Sequence, residues 1–186
     1  MFIQTEITPN PDTLKFLPGQ EIAPGTPRDF ASPEAAESSL LARELFAIDG
    51  VVGVFAGADF VSVTKREEAD WIQIRPAILG VIMDAVQSGQ PLFGEAAGTG
   101  HAEYTGEAEG IVREIMEVID TRVRPAVARD GGDIVFHAYD ADSGVVQLHM
   151  RGACAGCPSS AMTLKHGIEN LLKHYVPEVT GVEAVV

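Results

Sequence analysis

The feature of this sequence that most limits its possible folds is a long gap in its apolar pattern. From Ser88-Gly89-Gln90-Pro91 to Glu107-Ala108 the chain is rich in Gly, Ala and Glu, carries no Lys or Arg, and shows no apolar period. Structureless loops of such length are uncommon inside one compact domain, so the stretch reads as a flexible, acidic linker. The chain of 186 residues, 46% of them hydrophobic, then divides into two small domains, 1–88 and 109–186, joined through 89–108. That apolar content is enough for packed cores.

Local patterns predict an α+β fold for each half. Phe2–Ile7 alternates as a strand, and Thr13–Leu17 pairs with it across the turn Pro9-Asn10-Pro11-Asp12. Ser32-Pro33-Glu34 offers a capping hydroxyl, a proline for the first helical position and an early acid. It predicts a helix whose apolar side carries Leu41, Leu45 and Ile48. Val51–Ala56 and Phe60–Lys65 flank Gly57-Ala58-Asp59 as a hairpin. A last helix turns Ile78, Ile82 and Val86 to one face, with Pro76 near its start and Asp70–Arg75 as a preceding turn.

In the second half, Val112, Ile115, Met116, Ile119 and Val123 mark an amphipathic helix, which Pro125 kinks or ends. Arg129-Asp130-Gly131-Gly132-Asp133 turns into a strand, Ile134–Tyr139, with Ile134, Phe136 and Ala138 on one face. Asp142-Ser143-Gly144 leads to a second strand, with Val146, Leu148 and Met150 on one face. After a cysteine loop comes a helix bearing Leu164, Ile168, Leu171, Leu172 and Tyr175, then a closing strand, Val179–Val186.

A formal charge of −14 opposes nonspecific nucleic-acid binding, which needs a basic surface. It suits protein partners with neutral or basic patches. No apolar run reaches the roughly 18–20 residues of a membrane span. The opening Met1-Phe2-Ile3-Gln4-Thr5-Glu6 lacks a basic n-region and an apolar h-region, and the first basic residues are Lys15 and Arg28. The expectation is a bacterial cytoplasmic protein, or a mitochondrial matrix protein if the chain is a processed form.

The only two cysteines form Cys154-Ala155-Gly156-Cys157. In a reducing compartment such a pair is metal-binding or redox-active and not a structural disulfide. Cys154 follows a strand, and Cys157 precedes Pro158, which suits the first position of a helix. The helix N-terminus would lower the pKa of a Cys157 thiolate. Gly152 and Gly156 allow close backbone approach.

Three chemistries fit the pair. An iron–sulfur cluster of the two-iron or four-iron type generally takes four thiolates. The chain offers two, so a cluster requires two chains meeting at their loops, a homodimer formed or tightened on cluster binding. A structural zinc adaptor needs two more ligands, for which His149, His166 and His174 are the nearby candidates, but their spacing fits no compact zinc module. A thiol–disulfide oxidoreductase shares the strand–CxxC–helix order. Against it, the proline follows the second cysteine, no aromatic precedes the first, and a helix and hairpin lead in where a βαβ pattern is expected.

Taken together, Arg129-Asp130-Gly131-Gly132-Asp133 and Arg151-Gly152-Ala153-Cys154-Ala155-Gly156-Cys157-Pro158-Ser159-Ser160 resemble the C-terminal domain of the NifU-like (Nfu) iron–sulfur proteins. Phe2-Ile3-Gln4-Thr5-Glu6, Thr8-Pro9-Asn10-Pro11 and Lys15-Phe16 resemble the separate N-terminal domain of some members. The resemblance implies a scaffold or carrier with no enzymatic turnover. It implies that Cys154 and Cys157 ligate a [4Fe–4S] cluster, with [2Fe–2S] the other option, bridging two subunits. The implied partners are upstream cluster-assembly proteins and apo iron–sulfur clients.

Other residues take plainer readings. Asp130 and Asp133 are read as turn and capping residues around Gly131-Gly132, Trp71 as a core aromatic, and Glu67-Glu68-Ala69-Asp70 as a solvated loop or helix start. No Ser/His/Asp constellation, P-loop or dinucleotide glycine motif is present.

Overall fold

A computed structural model describes residues 2–89, 92–93, 104, 106–155 and 158–185, the side chains of 107 and 158–161 aside. The chain divides into two compact α+β units, Met1–Ala97 and Gly98–Val186. Among the described residues, no helix is long and apolar enough to cross a membrane.

In the first unit, strands β1 (Gln4–Ile7), β2 (Thr13–Leu17), β3 (Arg28–Phe30), β4 (Val51–Ala56) and β5 (Val61–Lys65) form one sheet in the order β1-β2-β5-β4-β3. Every neighbouring pair is antiparallel. Helices α1 (Leu40–Phe46) and α2 (Trp71–Ser88) pack together, with α1 also against β4. Phe16, Leu41, Leu45, Val54, Ile78 and Ile82 are fully buried in the shared core, as the periodicity of both helices requires.

Three expectations change here. The helix foreseen from Ser32 begins at Leu40, where the Ser39 hydroxyl accepts from the Ala42 amide at 3.1 Å. Residues 33–38 bury only Ala36 and form i→i+3 turns instead, such as Ala36 N–H to the Pro33 carbonyl. Without an apolar stripe, nothing pulls them into a helix. Asp70–Arg75 is not a preceding turn, because α2 starts at Trp71 under an Asp70 cap (Oδ1 to Ile72 N–H, 2.9 Å) and contains Pro76. The one hydrogen bond that Pro76 removes lies among exposed residues 72, 73, 75 and 76, open to water. Third, β3 was not foreseen. It is three residues long and too short to show alternation.

Trp71 is half-buried against this core, and its Nε1 donates to the Pro11 carbonyl at 3.2 Å. Parts of 89–108 are described. Phe93 stacks on Phe30 at 6.0 Å, and Ser39 Oγ donates to the Leu92 carbonyl at 2.8 Å. In the second unit the Tyr104 hydroxyl accepts from the Tyr139 amide at 2.7 Å, and α3 already begins at Glu107.

The second unit opens with α3 (Glu107–Val118), a π-helical turn (Ile119–Val123) and α4 (Arg124–Arg129). Pro125 was expected to kink or end this helix. The backbone instead widens just before it, with the Arg124 amide reaching back to the Ile119 carbonyl. The wider turn gives the proline ring room and lets the helical path continue. Strands β6 (Gly132–Asp140), β7 (Val145–Gly152) and β8 (Gly181–Val185) form a sheet in that order. The hairpin β6–β7 is antiparallel, while β8 pairs parallel to β7, reached through α5 (Pro158–Tyr175).

So β7–α5–β8 is a βαβ crossover, contrary to the expectation that none surrounds the cysteine loop. A parallel partner needs a crossover of this kind, and the closing strand alone did not reveal its direction. A bulge also shifts the register between Phe136 and Ala138. Ile134, Phe136 and Tyr139 therefore enter the core, and Ala138, expected there, is only half-buried. Ile115, Ile119, Leu148 and Leu172 complete that core.

Candidate functional site

The cysteine loop is built where three elements end: α4, the start of β6 and the end of β7. The first rung of the hairpin pairs Gly132 with Gly152. Gly152 takes φ +62°, a left-handed turn that leads the chain off the sheet. The Ala153 amide then donates to the Gly131 carbonyl at 3.2 Å, and the Ala155 amide to the Gly152 carbonyl at 3.0 Å. These bonds hold Cys154 as a buried member of the core, 6% exposed. Pro158 is the first residue of α5, as its sequence position suggests. Cys157 and Gly156 lie outside the described residues, and with them the expectation of a helix-capped Cys157 thiolate.

Gly132 is the floor of this site. A Cβ there would stand 2.5 Å from Cys154 Sγ, 2.7 Å from the Arg151 carbonyl oxygen and 3.1 Å from the Cys154 nitrogen. No side chain fits, so the glycine is what lets the sulfur sit where it does. The next residue, Asp133, is buried and meets Arg124 in a two-pronged ion pair, Nε–Oδ1 2.8 Å and a second guanidinium nitrogen–Oδ2 3.0 Å. Arg124 also reaches Asp120 Oδ1 at 3.2 Å. Asp133 was expected to serve the turn; it is a strand residue that ties β6 to α4. Such bidentate, charge-assisted pairs fix orientation as well as adding energy.

The thiol of Cys154 is pushed up to about 12, first by burial, then by the negative charges of Asp130 and Asp133. Without a metal it is a neutral thiol at any ordinary pH. The sulfur has a fixed seat, and its electrostatics favour a bound cation that displaces the proton over a free, nucleophilic thiolate.

Comparison with known proteins falls on these same segments. Residues 3–89 match the family model described as scaffold protein Nfu/NifU N terminal, and residues 115–183 match the NifU-like domain. NifU-like protein 5, mitochondrial, of Arabidopsis thaliana is 49% identical over 186 residues, covering 98% of this chain and 67% of its own length. The chain belongs to the NifU-like (Nfu) family. A second relative, the NFU1 iron-sulfur cluster scaffold homolog, mitochondrial, of Drosophila erecta, is 50% identical across 100% of this Nfu-family chain. The chain spans 65% of that protein's length. The solution structure of a NifU-like protein from Saccharomyces cerevisiae, 24% identical, covers 52% of this chain and 87% of its own, with a TM-score of 0.45.

Among the described residues, the histidines weighed as zinc ligands form no three-ligand group with Cys154. His166 and His174 are exposed on α5. His149 bonds His137 and the Val185 carbonyl. Among the described residues, no three His, Cys, Asp or Glu side chains are placed to hold a metal ion. Gly132 and Arg124 were missed as supports of the site. The double glycine was legible only as a turn, and nothing in the sequence pairs Arg124 at the start of α4 with Asp133 on β6.

Proposed function

We propose that this protein is a carrier of iron–sulfur clusters. Cys154 and Cys157 of two copies together ligate one [4Fe–4S] cluster, which is passed to apo-proteins by exchange of thiolate ligands. The cluster is cargo, and no substrate is turned over. The observation that carries the reading is the fixed, glycine-floored seat of Cys154 at the end of β7, immediately before α5. Family membership supports it, since its relatives are named as iron–sulfur cluster scaffolds. The count of thiolates supports the pairing: four are generally needed, and each chain has two.

Upstream assembly proteins load the cluster and apo iron–sulfur proteins receive it. The first unit recognises or positions those partners, with 89–108 as the connection between domains 1–88 and 109–186. The setting is a reducing compartment. The mitochondrial names of the relatives favour the matrix over the bacterial cytoplasm that the opening residues suggested.

The oxidoreductase reading regains one feature, because the βαβ crossover is present. The Cys154 environment weighs against it. A disulfide-exchange nucleophile needs an exposed thiol of lowered pKa, and this thiol is buried with its pKa raised.

The deciding experiment is anaerobic reconstitution of the full chain with iron and sulfide, followed by sizing and metal analysis. A brown dimer absorbing near about 400 nm, with four irons per two chains, is the expected product. Two irons per two chains would select [2Fe–2S]. A colourless monomer, or a cluster kept within one chain after both cysteines are replaced by alanine, would refute the proposal.

A further inference from the structure

The sheet of the second unit has two unlike faces. Ile134, Phe136, Val146 and Leu148 pack with the helices in the core. Val135, His137, Gln147 and His149 lie on the opposite face, half-buried or exposed. There His149 stands across from Val135 on β6 and beside Val185 on β8. His137 is the extra residue of the β6 bulge, with no residue directly opposite it.

The hydrogen bonds of this pair fix where its protons are. His149 Nδ1 lies 3.2 Å from the Val185 carbonyl oxygen. A carbonyl only accepts, so Nδ1 carries the proton and the neutral ring keeps its Nε2 lone pair. That lone pair faces His137 Nδ1 at 3.0 Å, with the rings edge to face and their centroids 4.5 Å apart. Metal-binding histidines typically anchor their second nitrogen to a carbonyl in just this way.

We propose that His137 and His149 form a two-imidazole chelate for a divalent first-row transition cation, Cu²⁺ or Ni²⁺ ahead of Zn²⁺, on the open face of this sheet. The site is separate from the cysteine loop and does not rest on the carrier reading. A cation binding beside the line between these nitrogens, with both rings turned toward it, takes the place of the proton on His137 Nδ1. That proton moves through solvent to the other ring nitrogen of His137, so the neutral pair releases none.

Geometry sets the order of preference. With metal–nitrogen bonds of about 2.05 Å, nitrogens 3.0 Å apart subtend about 94° at the metal. That is near the right angle of tetragonal Cu²⁺ and Ni²⁺ sites; a tetrahedral Zn²⁺ angle requires the nitrogens to separate by about 0.3 Å more. The Irving–Williams order puts Cu²⁺ first of all. No third His, Cys, Asp or Glu joins the pair among the described residues, so water completes the coordination and the ion exchanges freely.

The test uses the full chain with Cys154→Ala and Cys157→Ala, because free thiols would bind or reduce copper. Cu²⁺ alone is titrated in, followed by calorimetry and electron paramagnetic resonance. One equivalent should bind with the hyperfine signature of two imidazole nitrogens. His137→Ala and His149→Ala should each weaken it by about 10–100-fold or more, while His166→Ala and His174→Ala leave it unchanged. Because His149 is half-buried, the surface variant His137→Gln and the ring-nitrogen resonances of the parent carry the test should His149→Ala unfold. Binding undiminished in His137→Ala and His137→Gln, or metal-shifted resonances belonging to His101, His166 or His174, would overturn the proposal and leave the pair a hydrogen bond only.

Discussion

Replacing Gly132 by alanine tests the architecture of the cysteine loop most directly. The added Cβ would stand 2.5 Å from Cys154 Sγ and 2.7 Å from the Arg151 carbonyl oxygen, against ordinary contacts of about 3.5–4.0 Å. The sulfur or the rung Gly132–Gly152 must therefore move by about 1 Å. Overpacking a tight core costs about 1–3 kcal/mol, and the backbone clash places this site toward the upper end. In a domain of this size the loss lowers Tm by about 5–20 °C. Metal–ligand bond lengths hold to within about 0.2 Å, so a sulfur displaced by about 1 Å should lower cluster loading as well as stability. Urea unfolding of the apo-protein and absorbance after anaerobic reconstitution measure the two effects. Adding Cys154→Ala to Gly132→Ala should recover part of the stability, because it removes one of the clashing atoms. Apo stability within about 0.5 kcal/mol of the parent, together with full cluster loading, would refute the close-approach argument.

Three further outcomes follow from the same structure. Arg124→Met leaves the buried Asp133 carboxylate without its two-pronged partner; removing one member of a buried pair costs about 3–5 kcal/mol, and partial exposure of Arg124 should bring this to about 2–3 kcal/mol in urea unfolding. In a Cys157→Ala chain, Cys154 should resist iodoacetamide at pH 8 in the native apo-protein and react readily once unfolded. Its pKa, raised to about 12, also means that its contribution to stability is complete below the unfolded value of about 8.5 and is lost as pH climbs toward 12, which alkaline melts of this chain and its Cys154→Ala counterpart compare. Glu169 accepts from the Val182 amide at 3.3 Å and pairs with Lys173 at 2.6 Å, and Lys173 and that amide hold its pKa below the ordinary range; its stabilisation is present above the unfolded carboxylate value of about 4.3 and fades as pH falls through the lower folded value, so Glu169→Gln should flatten the acid side of the Tm profile.

The elements with a long apolar period were legible from the chain alone. Ile78, Ile82 and Val86 mark the buried face of α2 as surely in the sequence as in the fold. The cysteine loop was legible too, since the strand before it and Pro158 after it bracket it. What escaped were features set by partners distant in sequence. Ser39 caps α1 because apolar residues begin only at Leu40, yet Ser32-Pro33-Glu34 offers the stronger local signal. The bulge at His137 cannot be told from regular alternation, because Ala138 is as acceptable in a core as Tyr139. Arg124 and Asp133 meet because β6 packs back along α4 after the turn at Asp130-Gly131. Local chemistry predicts such features poorly, since the competing conformations differ by little until the tertiary contacts form.

Among the described residues, each unit buries a hydrophobic cluster of its own. Heat or denaturant should therefore meet two melting bodies in one polypeptide, and calorimetry should resolve two events. Damage would be compartmental in the same way. A chain whose five-stranded half has collapsed would keep its cysteine loop in shape, and an assay that reads only colour would score it as sound.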